Sequence, residues 1–379
     1  MPPTSRRIVI DARPLSHPQV GGFRTYVRSL VQGLAEVGGA EEILLYLDRP
    51  LPPDAPALPP NAAVRILDRD RLRSDLLLFR KQVRWDRPDV VHGTMNYLPP
   101  GIAAPTTVTI HDALEIKRYP FVPRPRTRRA RLMRAYSAFL TRTSARRARY
   151  IVTDSAASAA EIRSALGRPL PPIAVVHCAI LAPPPDPAAR RSDDVVLALA
   201  STDPRKNFDL LLRAVASHRA RGLSPRPCLQ IVCTNAASAA GVRDEARRHG
   251  IGDVDLVHGL SDAALADCYA RAALFVFPSR MEGFGLPPLE AMAAGCPVAS
   301  SSAPPMPEVL ADIPVWFSPD DPEALADGIA TLLQDPERRR EMGRRGQDHA
   351  AQFTCRRMAE PMLETWRALA AQETNGSRT

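Results

Sequence analysis

Short apolar runs rich in β-branched residues, each followed by a stretch of helical period, recur along nearly all of this 379-residue chain. "RIVI" (7–10) precedes the helix-period segment "FRTYVRSLVQGLAEV" (23–37), and "ILLYL" (43–47) follows. "DVVH" (89–92), "TTVTIH" (106–111), "YIVT" (150–153) and "IAVVH" (173–177) continue the series. Runs of this length, apolar on both faces and separated by helices, pair as parallel strands in βαβ units.

The alternation breaks once. "LAPPPDPAARRSDD" (181–194) has four prolines and no periodicity, as an interdomain linker does. It then restarts with "VVLALA" (195–200), "CLQIVC" (228–233), "VDLVH" (254–258) and "LFVF" (274–277), with helical stretches between. The expectation is an α/β chain of two Rossmann-like, doubly wound domains, 1–183 and 192–355, facing a cleft. A last helix, 356–375, would cross back to the first domain. Ligands of such sheets bind outside the carboxyl ends of the strands. The proline-rich 49–62 reads as an exposed loop.

A formal net charge of +9 points to an anionic partner. No nucleic-acid-binding signature accompanies it, so nucleic acid is not expected. The six cysteines (178, 228, 233, 268, 296, 355) form no Cys-x-x-Cys pair and read as reduced core thiols. "MPPTSRRIVIDARP" reads as a first strand and not a signal peptide, and no apolar segment is long enough to span a membrane. Cytoplasmic location is the expectation.

Three clusters sit where chemistry is expected. In "SRMEGFGLPPLEAMAAG" (279–295), a glycine loop leads into a helix opened by Pro287 or Pro288. Amides of such a turn favour phosphate. Glu290 reads either as a first-turn capping residue or as a carboxylate accepting bonds from a ribose diol. Glu282, in the loop, has no capping role open to it and reads as a site carboxylate or as a solvated loop glutamate. In "ASTDPRKNFDLLLRAV" (200–215), Arg205 and Lys206 follow a strand and suit a diphosphate, although a basic pair is also common surface. Gly21-Gly22, after the first strand, fits a plain turn or a close approach to a ligand. His111-Asp112 ends "TTVTI"; the histidine suits positioning or protonation with Asp112 orienting it, or a simple capped helix start. His92 and His177 read as structural.

Together these segments resemble the retaining glycosyltransferases of family 4, which have the GT-B fold. "EGFGLPPLEAMAAGCPVA" is similar to the family's Glu-x7-Glu signature, "STDPRKNFDLLLRAV" to its Pro-Arg-Lys-Asn segment and "VTIHDALEIKRYP" to its His-Asp segment. "GGFRTYVRSLVQGL" is similar to its N-terminal glycine loop, and the ordered set covers nearly the whole chain. The resemblance implies an N-terminal acceptor-binding domain and a C-terminal nucleotide-sugar-binding domain. It implies that Glu282 meets the donor sugar, that Phe284, Gly285 and Leu286 hold sugar and phosphate, and that Glu290 binds the ribose. Arg205 and Lys206 would neutralise the diphosphate, and Gly22 would approach it. His111 would lie near the anomeric centre, and Val257 and Leu265 near the base. No metal and no cofactor is expected; the donor, GDP-mannose or a UDP-sugar, is the substrate. The family often has glycine at the first C-domain strand's end, where this chain has Ala200-Ser201.

The resemblance implies a glycan, lipid-linked or small-molecule hydroxyl as the acceptor. Residues 117–149 hold twelve Lys or Arg and no acid, with Ala130, Met133, Tyr136 and Leu140 on one helical face. That pattern fits peripheral contact with anionic membrane, recruitment of an anionic acceptor, or a solvated face. The rivals are a nucleotide-sugar epimerase on the same fold, a non-catalytic nucleotide-sugar-binding subunit, and a metal-dependent transferase using Asp68-Arg69-Asp70 or Asp253-Val254-Asp255.

Overall fold

The computed structural model describes residues 6–17, 21–123, 125, 127–167, 169–186, 188–200 and 203–376. The chain forms two compact units. The first holds residues up to 119, 124–179 and 353 onward; the second holds 180–352 with Pro120–Pro123.

In the first unit, β1 (Arg7–Asp11) is followed by α1 (Arg13–Ser16) and α2 (Gly22–Val37). Next come β2 (Glu42–Leu47), β3 (Ala62–Ile66), α3 (Arg71–Arg73), a π-helical turn (Ser74–Leu78) and α4 (Phe79–Asp86). β4 (Val90–Gly93), β5 (Thr106–Thr109), α5 (Arg128–Arg147), β6 (Tyr150–Thr153), α6 (Ala156–Leu166) and β7 (Ile173–Val175) complete the sheet. Its order is β3-β2-β1-β4-β5-β6-β7, all parallel. Strand order reverses beside β1, as in doubly wound sheets, so the loops after β1 and β4 diverge at the carboxyl edge. The β-branched and leucine-rich strands are buried because helices cover both faces: Ile8, Val9, Ile10, Leu44 and Val91 are all fully buried.

The second unit repeats the plan with β8 (Val195–Leu199), α7 (Phe208–Ala220), β9 (Cys228–Cys233), α8 (Ala236–Arg248), β10 (Val254–His258) and α9 (Asp262–Arg271). Then follow β11 (Leu274–Phe277), α10 (Leu286–Ala293), β12 (Val298–Ser301), α11 (Met306–Leu310), β13 (Val315–Phe317), α12 (Pro322–Gln334) and α13 (Pro336–Ala350). The sheet order is β10-β9-β8-β11-β12-β13, again parallel. The final helix, α14 (Cys355–Gly376), returns to the first unit and packs on α2. Its Trp366 is fully buried, and the indole N–H donates to Thr107 Oγ1 at 3.1 Å.

Two sequence readings need correction. β3 was not expected; it is an edge strand, half-buried and ending in an exposed Ile66, so it carries little apolar signal. The supposed single face of α5 is divided. Leu140 is in the core at 1% exposure, whereas Met133 faces outward, because only the second half of the helix lies against the sheet. Outward-facing Leu132 and Phe139, at 70% and 61% exposure, were not on that face.

Candidate active site

In the second unit, the loops leaving neighbouring β8 and β11 meet. Pro204–Lys206 forms one 3-10 turn, capped by Asp203, whose Oδ1 accepts from Arg205 N at 3.0 Å. Asn207 then takes a left-handed conformation (φ 52°), which asparagine tolerates better than most residues. Its amide donates to Pro278 O at 3.1 Å and Pro319 O at 2.8 Å, while Arg280 N donates to Arg205 O at 2.7 Å. These bonds fix the basic turn against the loop that follows β11. Arg205 forks onto Asp203 Oδ2, at 2.8 Å from Nε and 2.6 Å from Nη2. Lys206 Nζ meets Glu282 Oε1 at 2.7 Å and lies 5.6 Å from the Phe277 ring centre. Lys206 of the basic cluster and the first glutamate of the signature therefore form one ion pair, while Asp203 holds Arg205.

Gly285 precedes α10 at φ 107°, and a Cβ there would collide with Met306 Cε. Only glycine fits without displacing that side chain. Leu286 is the first helical residue, so Pro287 and Pro288 take the second and third positions and not the first. A helix start leaves its first amides without intrahelical partners; here two of those positions have no N–H. The donors left are Gly285 and Leu286. Glu290 is the fifth residue of α10, too far in to cap it, which removes the capping reading. Burial and the Asp262 charge push its carboxyl up to about 7, with the Tyr269 phenol opposing them. Phe284 is buried at 4% exposure. Val257, on edge strand β10, and Leu265, on α9, are half-buried. Ala200 is buried and bonded to Val232 O at 2.9 Å; Ser201 lies outside the described residues.

In the first unit, His111 follows β5. Its Nδ1 is 2.6 Å from Asp154 Oδ2 and its Nε2 is 3.0 Å from Thr94 O. A backbone carbonyl can only accept, so Nε2 carries hydrogen, and the carboxylate beside Nδ1 favours the doubly protonated ring. Burial lowers the pKa, but the Asp154 charge and hydrogen bond more than reverse it, leaving it raised. His111 N donates to Asn96 Oδ1 at 2.8 Å, and Ser158 Oγ donates to His111 O at 3.0 Å. Phe23 and Tyr26 meet the ring edge-on, at 5.0 and 4.6 Å between centres. Asp112 does not orient the ring, as the sequence suggested; its Oδ1 accepts from Leu114 N in a local turn. His92 is a fully buried neutral ring between Thr107 and Thr109, its pKa pushed down to about 3 by burial and by His111.

Phe23 also lines a pocket of about 370 Å³ in the same unit, with Arg24, Arg69, Met95, Tyr97 and Glu115. Gly22 opens α2 beside it. A Cβ on Gly22 would meet no atom within 4 Å, so the fold itself does not demand glycine there. The carboxylates of the two Asp-x-Asp sequences have partners: Asp70 Oδ1 accepts from Arg73 N at 2.9 Å, and Asp255 Oδ2 accepts from the Gln230 amide at 2.6 Å. Asp253 sits between Arg219 and Arg226 at 2.7 and 2.8 Å, and Asp68 pairs with Arg73 at 3.3 Å.

Comparison with known proteins decides the family. The model "Glycosyltransferase Family 4" matches residues 20–181, and "Glycosyl transferases group 1" matches 184–349. The chain belongs to glycosyltransferase family 4. This glycosyltransferase is 33% identical to the D-inositol 3-phosphate glycosyltransferase of Segniliparus rotundus, over 49% of this chain and 44% of that one. With the enzyme of the same name from Kribbella flavida it shares 27% identity over 95% of this chain and 94% of the other. The solved sucrose-phosphate synthase from Thermosynechococcus elongatus superposes with a TM-score of 0.76 at 22% identity, covering 97% of this chain and all of that one. Anabaena HepE in complex with UDP-glucose superposes at 0.70 and 17% identity, covering 96% and 99%. The fold is GT-B.

Asp154, Asp203 and Asn207, which hold the candidate residue His111 and the Arg205-Lys206 turn in place, were not singled out from the sequence. The first was within reach of strand counting: Thr107 pairs with Tyr150 and Thr109 with Val152, so two residues further on, 111 lies opposite 154. Asp203 and Asn207 flank the basic pair as cap and left-handed turn, roles their residue types favour.

Proposed function

We propose that this glycosyltransferase moves a hexose from GDP-mannose or a UDP-sugar to an acceptor hydroxyl, with retention at the anomeric carbon and without a metal ion. The Lys206–Glu282 pair carries the reading. A cation and a carboxylate 2.7 Å apart can exchange partners: the diphosphate takes the lysine and a sugar hydroxyl takes the glutamate. Arg205 adds a second positive charge, and the Gly285 and Leu286 amides offer the donors beside it. Glu290 accepts from the ribose diol, with Val257 and Leu265 near the base. Fixed donors of this kind stabilise the negative charge that develops on the leaving group.

In the reaction the bond from anomeric carbon to diphosphate oxygen breaks, and the acceptor oxygen bonds the same face. Its proton passes to the departing phosphate oxygen. We assign His111 the part of a fixed cation and not of a proton acceptor, and Gly22 that of a backbone position open to close approach by a ligand. The pocket beside Phe23 is our acceptor site. Phe23 suits the apolar face of a sugar or cyclitol ring, and Arg24, Arg69 and Glu115 suit its hydroxyls and any phosphate. The inositol phosphate named in its relatives fits that description, as UDP-glucose, named in the HepE structure, fits the donor. No described helix is long and apolar enough to cross a membrane. We place the enzyme in the cytoplasm, with its six free cysteines reduced and α5 touching anionic lipid through Leu132, Phe139 and its arginines.

The test is calorimetric titration with UDP, GDP, ADP and dTDP in EDTA. Binding of UDP or GDP, followed by turnover of the matching sugar donor, is expected. Binding only after manganese is added would restore a metal-dependent reading, and no binding in either condition would remove the donor assignment.

A further inference from the structure

The first sheet carries polar residues where a parallel sheet covered by helices is normally apolar. His92 on β4 and Thr107 on β5 stand directly opposite each other, and Thr109, two residues on, shares their face. All three are fully buried. They form one chain of hydrogen bonds that runs from α14 to α2. The Trp366 indole N–H donates to Thr107 Oγ1 at 3.1 Å, and Thr107 Oγ1 lies 2.8 Å from His92 Nδ1. On the far side of that ring, Nε2 is 3.2 Å from Thr109 Oγ1, which is 2.8 Å from the Tyr26 hydroxyl. Tyr26 and Trp366 are buried as well, so water reaches neither end.

Tyr26 brings the chain to the candidate site. Its ring stands edge-on to His111 at 4.6 Å, and Phe23, one turn earlier on α2, meets the same imidazole at 5.0 Å. The two helices are also locked directly, because a Cβ on Gly33 of α2 would collide with the Cys355 carbonyl of α14. Stability alone does not require the polar chain. Apolar side chains of the same shapes would fill this space at little cost, whereas cutting one member leaves its buried neighbours unsatisfied. What the hydrogen bonds add is fixed orientation.

We propose that Trp366 is a positioning residue for His111, acting through Thr107, His92, Thr109 and Tyr26 to fix the Tyr26 ring against the imidazole. The indole N–H can only donate, so it sets the direction of the chain. Thr107 accepts from it and gives its own hydrogen to His92 Nδ1. The neutral His92 ring then carries hydrogen on Nε2 and gives it to Thr109. Burial and the Asp154 charge raise the Tyr26 pKa, so the phenol at the end stays neutral. The charges acting on His111 are those of Asp154 and Asp112, and neither belongs to the chain. The chain therefore governs where the imidazole sits, and Asp154 governs its charge. The inference rests on the catalytic part assigned to His111.

The experiment compares the full chain with Trp366→Phe, which loses only the N–H donor and part of the ring, and Thr107→Val, which keeps the shape without the hydroxyl. Nitrogen NMR of histidine-labelled protein, which needs no substrate, should find His92 with hydrogen on Nε2 and none on Nδ1. Both variants, and Tyr26→Phe, should move the His111 ring signals. Each should lower kcat with UDP-glucose or GDP-mannose about tenfold, through misplacement, and leave UDP or GDP affinity and the pH limb unchanged. Trp366→Phe/Thr107→Val should lose no more than either change alone, since one chain is cut twice. A lowered melting temperature with the His111 signals unmoved overturns the proposal. So does additive loss in the double variant, and so does a His92 with hydrogen on Nδ1 in the unmodified protein. Moved signals with an unchanged kcat uphold the positioning and remove instead the catalytic part of His111, a result that an equally active His111→Asn would repeat.

Discussion

Two ionisable groups at the residue scale make opposite demands on pH. Glu290, raised to about 7, is half protonated near neutrality. A diol donates to a carboxylate, so nucleotide binding favours the ionised form. We predict that UDP or GDP affinity falls as pH drops below 7, by up to about tenfold per unit until the bound-state pKa is reached. Glu290→Gln should bind weakly and flatly across the same range in calorimetry. His111 runs the other way. Its raised pKa means the cation is present below the folded pKa and is lost as pH rises through it; the stability it contributes is lost over the same rise. Asp154→Asn should lower the alkaline limb of the rate profile and reduce kcat by about 100-fold at pH 8. Nucleotide affinity, read in the second unit, should not change. A lowered melting temperature with an unshifted pH limb would mean that Asp154 only supports the fold.

At the scale of elements, the site is two loops held by a few bonds. Asn207 joins the turn after β8 to the carbonyls of Pro278 and Pro319. Asn207→Ala should cost about 1–3 kcal/mol in unfolding, because buried carbonyls lose their donor. It should also weaken diphosphate binding by letting Lys206 drift. Lys206→Ala should weaken UDP or GDP more than UMP or GMP, since the lysine answers the second phosphate; equal losses would leave it a structural partner of Glu282. Gly285→Ala meets both a positive φ and Met306, so a loss of about 1–3 kcal/mol and of nucleotide binding is expected together.

For the whole molecule, two parallel sheets of seven and six strands belong to separate compact units, and the last helix belongs to the first of them. Trp366 is the anchor of that return, fully buried beside His92 and Thr107. Trp366→Ala should cost about 3–5 kcal/mol. In calorimetric melting the loss should fall on a transition that UDP or GDP does not raise, because the nucleotide stabilises the unit that binds it. A shift of the nucleotide-sensitive transition would contradict this division of roles.

The strand–helix alternation determined the architecture, since apolar runs covered by helices have few arrangements other than doubly wound sheets. The ordered motifs likewise pointed to the family and to Glu282, Glu290, Arg205 and Lys206 as a group. What the sequence left open depended on neighbours distant in the chain. Asp154 replaces Asp112 as the partner of His111 because β5 and β6 are adjacent and in register, a fact of pairing and not of proximity in sequence. The prolines moved one place along α10 because Gly285 already occupies the cap. Leu72, Leu76 and Leu77 face outward because Arg13, 62 residues earlier, holds Asp75 inward. Local pattern selects elements through burial and backbone preference; which face they show, and which charges meet, is decided only when the sheet is assembled.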